Sequence, residues 1–131
     1  MKRTTIVFLA LVSTLGVGVS EIAAHNTSHS TTIEFRHFAG YPGNALLSGL
    51  VESPKEKCVP GRTVKLIGER PSGDRIVADS TRSSRKGAYG LHGSFNGDDE
   101  IWVKVSQRNV GSRGHRHICE SETVLEYPTP P

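Results

Sequence analysis

Short runs of alternating hydrophobic and polar residues recur along this chain and predict β-strands. Val64 and Leu66 are separated by Lys65, and segment 100–107 alternates in the same way; this is the period of a strand with one buried face. Shorter runs of the same kind occupy 31–38, 45–52, 75–80, 88–91 and 121–127. No window shows the amphipathic helical period of about 3.6 residues. We therefore predict about seven short strands.

Turn signals separate these runs. Pro60-Gly61 precedes the Val64 strand, and Pro71-Ser72-Gly73-Asp74 follows it; proline fixes φ and glycine tolerates positive φ. Short strands spaced by turn residues are typical of an all-β sandwich. The polar, glycine-rich segment 108–116 is expected to be a long basic loop.

The first 24 residues have the layout of a secretory signal peptide. Lys2-Arg3 is followed by an apolar run over 6–19 and by Ala23-Ala24, which is a typical order of charge, apolar segment and cleavage site. The run is short for a membrane span of about 20 residues. We predict cleavage after Ala24, with cleavage after Ser20 or an uncleaved anchor as the alternatives, and a secreted or extracytoplasmic product.

After residue 24 the chain divides into three parts. Residues 25–44 are a polar start with one candidate strand, 45–127 form the β-sandwich domain, and 128–131 are an extended proline-rich tail. Asn26-Thr27-Ser28 fits the N-glycosylation pattern, which matters only in a eukaryotic secretory pathway.

The charge is only mildly basic. The net charge is +3 and aromatic residues make up 6% of the chain, whereas a nucleic-acid surface needs concentrated cations with aromatics to stack on bases. We expect an extracellular protein or glycan as partner, no nucleic acid, and no membrane association after signal cleavage.

Cys58 and Cys119 are the only two cysteines. An even cysteine count in an exported chain predicts a disulfide. Such a bond closes a long loop and is expected to contribute about 4 kcal/mol to stability.

The order of these motifs resembles a known family. Segment 58–66 (Cys-Val-Pro-Gly-Arg-Thr-Val-Lys-Leu) is followed by 83–89 (Ser-Ser-Arg-Lys-Gly-Ala-Tyr), by 101–105 (Ile-Trp-Val-Lys-Val) and by Cys119. The chain is similar in this respect to the carboxypeptidase regulatory-like, transthyretin-like (prealbumin-like) β-sandwich domains of exported proteins. The resemblance implies a seven-stranded Greek-key sandwich without catalysis. We expect no cofactor.

Two groups of residues in and beside the basic segment are candidate sites. Arg108, Arg113 and Arg116 could form an anion-binding rim, with a solvated loop as the alternative. His115 and His117 share one face of an extended chain and are weak candidates for a metal site, since imidazole is a common zinc or copper ligand. A third ligand would have to come from His37 or His92, so solvated histidines are the simpler expectation.

Two other segments each allow a binding-site interpretation and a purely structural one. Asp98-Asp99-Glu100 could contribute to a calcium site, but adjacent carboxylates do not all converge on one ion, and a polar hairpin is expected instead. Trp102 is expected to belong to the core, and with Tyr89 it would otherwise form a sugar-stacking platform.

These observations favour a non-catalytic secreted module for binding or surface structure. The alternatives are a small-ligand carrier of transthyretin type and a metal-binding protein using His115 and His117. No nucleophile elbow or Ser-His-Asp arrangement can be assigned from the sequence.

Overall fold

Ten β-strands make up most of the region that the structure, a computed structural model, describes: residues 25–126. They are β1 (His25–His29), β2 (Thr32–Ala39), β3 (Gly43–Glu52), β4 (Thr63–Glu69), β5 (Arg75–Arg82), β6 (Ala88–Phe95), β7 (Glu100–Val105), β8 (Arg108–Ser112), β9 (His115–Cys119) and β10 (Glu122–Glu126). One turn of 3₁₀ helix, Glu56–Cys58, lies between β3 and β4. The all-β prediction is confirmed, whereas the predicted signal peptide and tail lie outside the described residues.

The strands form three sheets. The back sheet has the order β2-β3-β6, the front sheet β10-β7-β4-β5, and the hairpin sheet β1-β9-β8. All neighbouring strands are antiparallel except β1 and β9, which are parallel.

The core lies between the front and back sheets. Its buried side chains come from both sheets: Ile33, Ala45, Leu47, Val51, Val64, Leu66, Tyr89, Leu91, Phe95, Ile101, Val103 and Val105. In β4 the burial alternates residue by residue, so the predicted inward face of Val64 and Leu66 is confirmed. The same holds for Ile101, Val103 and Val105 in β7.

The first predicted strand differs from its pattern at one point. Strict alternation expects His37 beside Phe35 on one face and Phe38 on the other. The pairing of β2 with β3 shifts by one residue between Phe35 and His37, so Phe38 packs against the core and His37 is exposed. A bulge of this kind reverses the faces beyond it.

The predicted basic loop is a β-hairpin. β8 and β9 pair from Arg108–Cys119 to Ser112–His115 and are joined by Arg113-Gly114. Gly114 has φ +95°, a conformation that only glycine adopts readily. The glycines therefore mark a tight hairpin turn here, rather than an irregular loop.

The polar segment at the start of the described region is also a strand. We expected residues 25–30 to be flexible, but His25–His29 forms β1 and pairs with β9. All five residues of β1 are polar and four of them are exposed, so the strand shows no hydrophobic alternation. The backbone of β1 instead pairs with the edge of β9, which lies about 90 residues further along the chain.

Arg62 lies at the junction of the hairpin sheet with the sandwich and is fully buried. Its Nη1 donates hydrogen bonds to the carbonyl oxygen of Cys58 (2.8 Å) and to Thr31 Oγ1 (3.1 Å). Its Nη2 donates to the carbonyl oxygens of Ser106 (2.9 Å) and Glu120 (2.8 Å). One guanidinium thus joins four connections between strands.

The predicted disulfide is present at the same junction. Cys58 and Cys119 are bonded, with their Cα atoms 5.4 Å apart and both side chains fully buried. The bond connects the end of the 3₁₀ turn to the last residue of β9. It therefore attaches the hairpin sheet covalently to the segment that leads into β4.

Candidate functional site

The three arginines of the predicted anion-binding rim are not gathered in one place. Arg108 donates a hydrogen bond through Nη1 to the carbonyl oxygen of Pro60 at 2.7 Å. Arg113 lies in the hairpin turn, and Arg116 pairs with Gly111. Because neighbouring strand residues alternate between faces, the register places Arg108 and Arg116 on opposite faces of the hairpin sheet.

The two histidines of the predicted metal site do share a face, and a third histidine joins them. His29 Nε2 lies 2.9 Å from His117 Nδ1, since β1 and β9 pair in parallel. His37 and His92, the expected third ligands, are exposed on the back sheet instead. Within residues 25–126, no three His, Cys, Asp or Glu side chains are arranged to hold a metal ion.

The surroundings of His117 oppose a positive charge. Burial lowers the pKa of His117 most, and the charges of Lys55, His29, His115 and Lys57 lower it further. The positive charges of Lys55 and Lys57 also repel a divalent cation. The His29–His117 contact is therefore better suited to respond to protons than to hold a metal.

We expect the attachment of β1 to weaken in mild acid. One imidazole must donate and the other accept across the His29–His117 contact, so two protonated rings cannot make this hydrogen bond. Because the folded-state pKa of His117 lies below its usual value of about 6.5, the stability that it confers is complete above that pH. The contribution is lost as pH falls from about 6.5 towards the lower folded value.

Hydrogen exchange of the β1 amides, measured between pH 7.5 and 5, checks this expectation after correction for intrinsic exchange. Protection of β1 should fall in acid in the parent protein and change much less in His117→Gln, which cannot titrate. His37→Gln, which removes an exposed histidine from β2, is the matched control and should behave like the parent. Equal pH dependence in the parent and in His117→Gln would contradict the expectation.

At the opposite end of the sandwich, a cleft of about 350 Å³ opens where β4 and β6 end and β3 and β5 begin. Its apolar wall includes Phe95, Ile76 and Ala78. A Cβ placed on Gly68 would lie 2.8 Å from the Phe95 ring. A larger residue at Gly68 would therefore displace the ring, which forms part of the apolar wall.

The polar side of this cleft includes Asp99, which is 8% exposed. Its Oδ2 accepts a hydrogen bond from the backbone N–H of Asn96 at 2.8 Å. Its backbone N–H donates to the carbonyl oxygen of Asn96 at 3.1 Å. Its Oδ1 is buried and accepts no hydrogen bond from any residue in 25–126. The side chain is thus held by one oxygen while the other is unpartnered.

Tyr41 closes the loop that carries Asp99. Its hydroxyl donates to the carbonyl oxygens of Asn96 and Asp99, each at 3.1 Å. Burial raises the pKa of Tyr41 most, and the charges of Asp99 and Asp98 raise it further. The negative charge of Asp98 and Asp99 therefore contributes to the electrostatic potential at the Tyr41 hydroxyl.

A second cleft of about 300 Å³ adjoins the first and shares Arg70 with it. Glu69, Asp98 and Glu100 contribute to its lining. The loop end of the sandwich is thus rich in carboxylates, whereas His29, His117, Lys55 and Lys57 lie at the disulfide end. A basic binding surface, as expected from segment 108–116, would lie far from these clefts.

The sequence predicts only a polar hairpin at Asp99, and Asp99 is the last residue of the turn before β7. The pattern Asn96-Gly97-Asp98-Asp99 indicates a turn, and no feature of it reveals which carboxylate is buried. That distinction depends on the loop containing Tyr41, which is 55 residues away from Asn96 along the chain.

Trp102 and Tyr89 do not form a common platform. Trp102 is half-buried on the outer face of the front sheet, where the guanidinium carbon of Arg75 is 5.6 Å from its ring centre. Tyr89 is buried in the core between the two sheets. The expected core position of Trp102 is therefore wrong, because Ile101 and Val103 occupy the inward face of β7.

No helix among residues 25–126 is long and apolar enough to cross a membrane. Comparison with family models, with curated proteins and with solved structures finds no match to this chain.

Proposed function

We propose that this protein is a non-catalytic, extracytoplasmic β-sandwich module that binds its ligand in the cleft beside Asp99. The observation that carries the proposal is a cleft of about 350 Å³ with an apolar wall and the polar residues Asn96 and Asp99 in its lining. Ligand sites are commonly clefts of about 300–1,000 Å³ lined by apolar groups and a few placed polar ones.

The position of the cleft supports this function. Loops that carry binding residues are often clustered at one end of a rigid sandwich. Here the connections around 40–42, 70–74 and 96–99 converge at the end that contains both clefts. The volume suits a small molecule or one side chain of a larger partner, so the module would act as a carrier or as a partner-binding domain.

The fold and compartment belong to the same proposal. The front and back sheets have four and three strands, which is compatible with a seven-stranded Greek-key sandwich of the transthyretin-like, carboxypeptidase regulatory-like type. The buried Cys58–Cys119 bond is compatible with an oxidising, extracytoplasmic compartment. Segment 1–24 supports export through its signal-peptide pattern.

A fragment screen tests the binding site. We expect small fragments to shift the amide resonances of residues around the cleft, such as Gly68, Phe95 and Asp99. Ala78→Phe, which places a ring against the cleft wall, should abolish these shifts. Ala88→Phe adds the same ring to an exposed alanine of β6 outside the cleft and should leave them intact. If no fragment shifts the cleft resonances, the proposed function is wrong.

A further inference from the structure

We infer that the histidine face of the hairpin sheet binds an acidic polysaccharide, at a site separate from the cleft of the proposed function. The histidine face is the side of this sheet that the strand register gives to the following residues of β1, β9 and β8: His25, Thr27, His29, His115, His117, Cys119, Arg108, Val110 and Ser112. Three observations carry the inference: the alignment of the imidazoles, the cations beside them, and the scarcity of acidic residues around them.

The strand register brings four histidines together on this face. β1 and β9 are parallel, so that His25 pairs with His115. Thr27 pairs with His117 in the same register. Residues paired across two strands point to the same side, and every second residue of a strand returns to that side at intervals of about 6.6 Å. His29 therefore lies on this face too, where its Nε2 is 2.9 Å from Nδ1 of His117. The imidazoles thus form a row along two neighbouring strands.

Permanent cations border this row at the disulfide end. Cys119 is bonded to the 3₁₀ turn, which places Lys57 and the preceding Lys55 at one end of the face. Burial lowers the pKa of His117 most, and the charges of Lys55 and Lys57 are among those that lower it further. Arg108 is exposed on the same face by register. The face is therefore positive at neutral pH and gains charge in mild acid, where imidazoles protonate.

In the described region, no acidic side chain pairs with these cations. β1, β8 and β9 contain no acidic residue. The acids adjacent in sequence are Glu56, between the two lysines, and Glu120, directly after β9. No ion pair within residues 25–126 joins either glutamate to the lysines or histidines, and all the charges that act on the pKa of His117 lower it. A surface of one sign attracts ligands of the opposite sign.

The chemistry of the histidine face favours a polysaccharide among polyanions. Its cations lie in a row, so a linear chain with repeated charges can contact several of them at once. The hydroxyl groups of Thr27 and Ser112 lie beside the imidazoles and can hydrogen-bond to sugars. The face carries no Phe, Tyr or Trp on which bases could stack. Val110 is its only aliphatic residue and is half-buried, so the face offers little apolar surface to enter a lipid bilayer.

Binding is coupled to the attachment of β1. Protonation of both His29 and His117 removes their hydrogen bond and makes the two rings repel each other. The sulfate or carboxylate groups of a bound polysaccharide would offset this repulsion. A polyanion should therefore raise the pKa of His117, and by the same linkage protonation of the ring should tighten binding.

Titration with a heparin hexasaccharide at pH 5.5 and 7.5, at low ionic strength and followed by amide resonances, tests the inference. We expect heparin to shift the resonances of β1 and β9 and to bind at least about tenfold more tightly at pH 5.5 than at pH 7.5. Added salt should weaken the binding. Maltohexaose, which has a sugar chain without charge, should not bind, and heparin should leave the cleft resonances of Gly68 and Phe95 in place.

Two matched lysine variants locate the site. Replacing both Lys55 and Lys57 by glutamine should weaken heparin about tenfold at either pH. Replacing both Lys65 and Lys104 by glutamine removes the same charge from the front sheet, where these residues pair between β4 and β7. Each pair has one half-buried and one exposed lysine. The front-sheet variant should bind heparin nearly as the parent does.

Two matched histidine variants test the pH dependence. Replacing both His25 and His115 by glutamine removes exposed imidazoles outside the His29–His117 contact. The difference in affinity between the two pH values should then fall to less than about threefold. Replacing the exposed His37 and His92 of the back sheet by glutamine should leave that difference unchanged.

Several results would overturn the inference: equal affinity at the two pH values, equal weakening by the two lysine variants, or maltohexaose binding as tightly as heparin. Absence of heparin binding at pH 5.5 would also overturn it, even if vesicles containing phosphatidylserine bound to this face. These outcomes leave the proposed function standing, because that function depends on fragments in the cleft. Failure of the fragment screen would in turn leave the polysaccharide inference intact.

Discussion

Replacing Arg62 by methionine is expected to lower the free energy of unfolding by about 3–5 kcal/mol. The guanidinium is fully buried and donates to the carbonyl oxygens of Cys58, Ser106 and Glu120. Methionine fills a similar volume but donates nothing, so the carbonyl of buried Cys58 and the part-buried carbonyl of Ser106 would lose this donor. The carbonyl of Glu120 would keep the hydrogen bond from the Thr31 hydroxyl. Each buried acceptor without a donor costs about 1–3 kcal/mol.

The charge of Arg62 makes this site unusual. None of its hydrogen-bond partners in the described region is a carboxylate, so carbonyl dipoles and one hydroxyl solvate the cation. Burial lowers the pKa of Arg62 most, and the charge of Arg108 lowers it further. Arg62→Lys should therefore also destabilise the protein, because lysine keeps the charge but cannot reach the same set of acceptors with its three donors.

Urea unfolding of the oxidised protein measures the effect. Arg82→Met is the control, because Arg82 lies on β5 near Arg62 but is exposed and makes only a 3.5 Å contact with the Gly61 carbonyl oxygen. It should change the stability by less than about 0.5 kcal/mol. If Arg62→Met unfolds at the same urea concentration and with the same slope as Arg82→Met, the guanidinium does not hold this junction together.

The double variant Cys58→Ser, Cys119→Ser should be less stable by about 4 kcal/mol, which corresponds to a melting temperature lower by about 20 °C. The bond joins residues separated by 61 positions, and a long closed loop restricts the unfolded chain strongly. Both serines would also be buried in sites that are fully inaccessible in the parent. Replacing both cysteines avoids a free thiol.

Thermal unfolding followed by circular dichroism, without reductant, checks this prediction. The parent protein unfolded with a reductant is a second control, and it should melt close to the double variant. A variant that melts with the oxidised parent would show that the crosslink contributes nothing. A triple variant with Arg62→Met is also informative, because the carbonyls of Cys58 and Cys119 both accept from Arg62. The losses of stability caused by Arg62→Met and by the double cysteine replacement should therefore not be additive.

The two largest effects lie at one junction, and this follows from the topology. The hairpin sheet contacts the sandwich beside the disulfide, and Arg62 donates to the connections on each side of it. Losing either element should loosen β1, β8 and β9 before the core between the front and back sheets. Hydrogen exchange of the two variants would show that order directly.

The strands of the core were predictable because their pattern is local. Val64 and Leu66 alternate with polar neighbours, and only one face of such a strand can be buried without placing charges in the core. The disulfide was predictable because a chain with two cysteines offers only one pairing. These inferences need no knowledge of which strands become neighbours.

The sequence alone therefore determined the all-β class, the inward faces of β4 and β7, and the pairing of Cys58 with Cys119. Only the tertiary structure decided the hairpin sheet, the burial of Arg62 and the unpartnered oxygen of Asp99. His29 and His117, for example, are 88 residues apart, and their contact exists because β1 pairs in parallel with β9. Alternation reports which face of a strand is buried, whereas a site depends on which distant segments meet, and that is decided by packing.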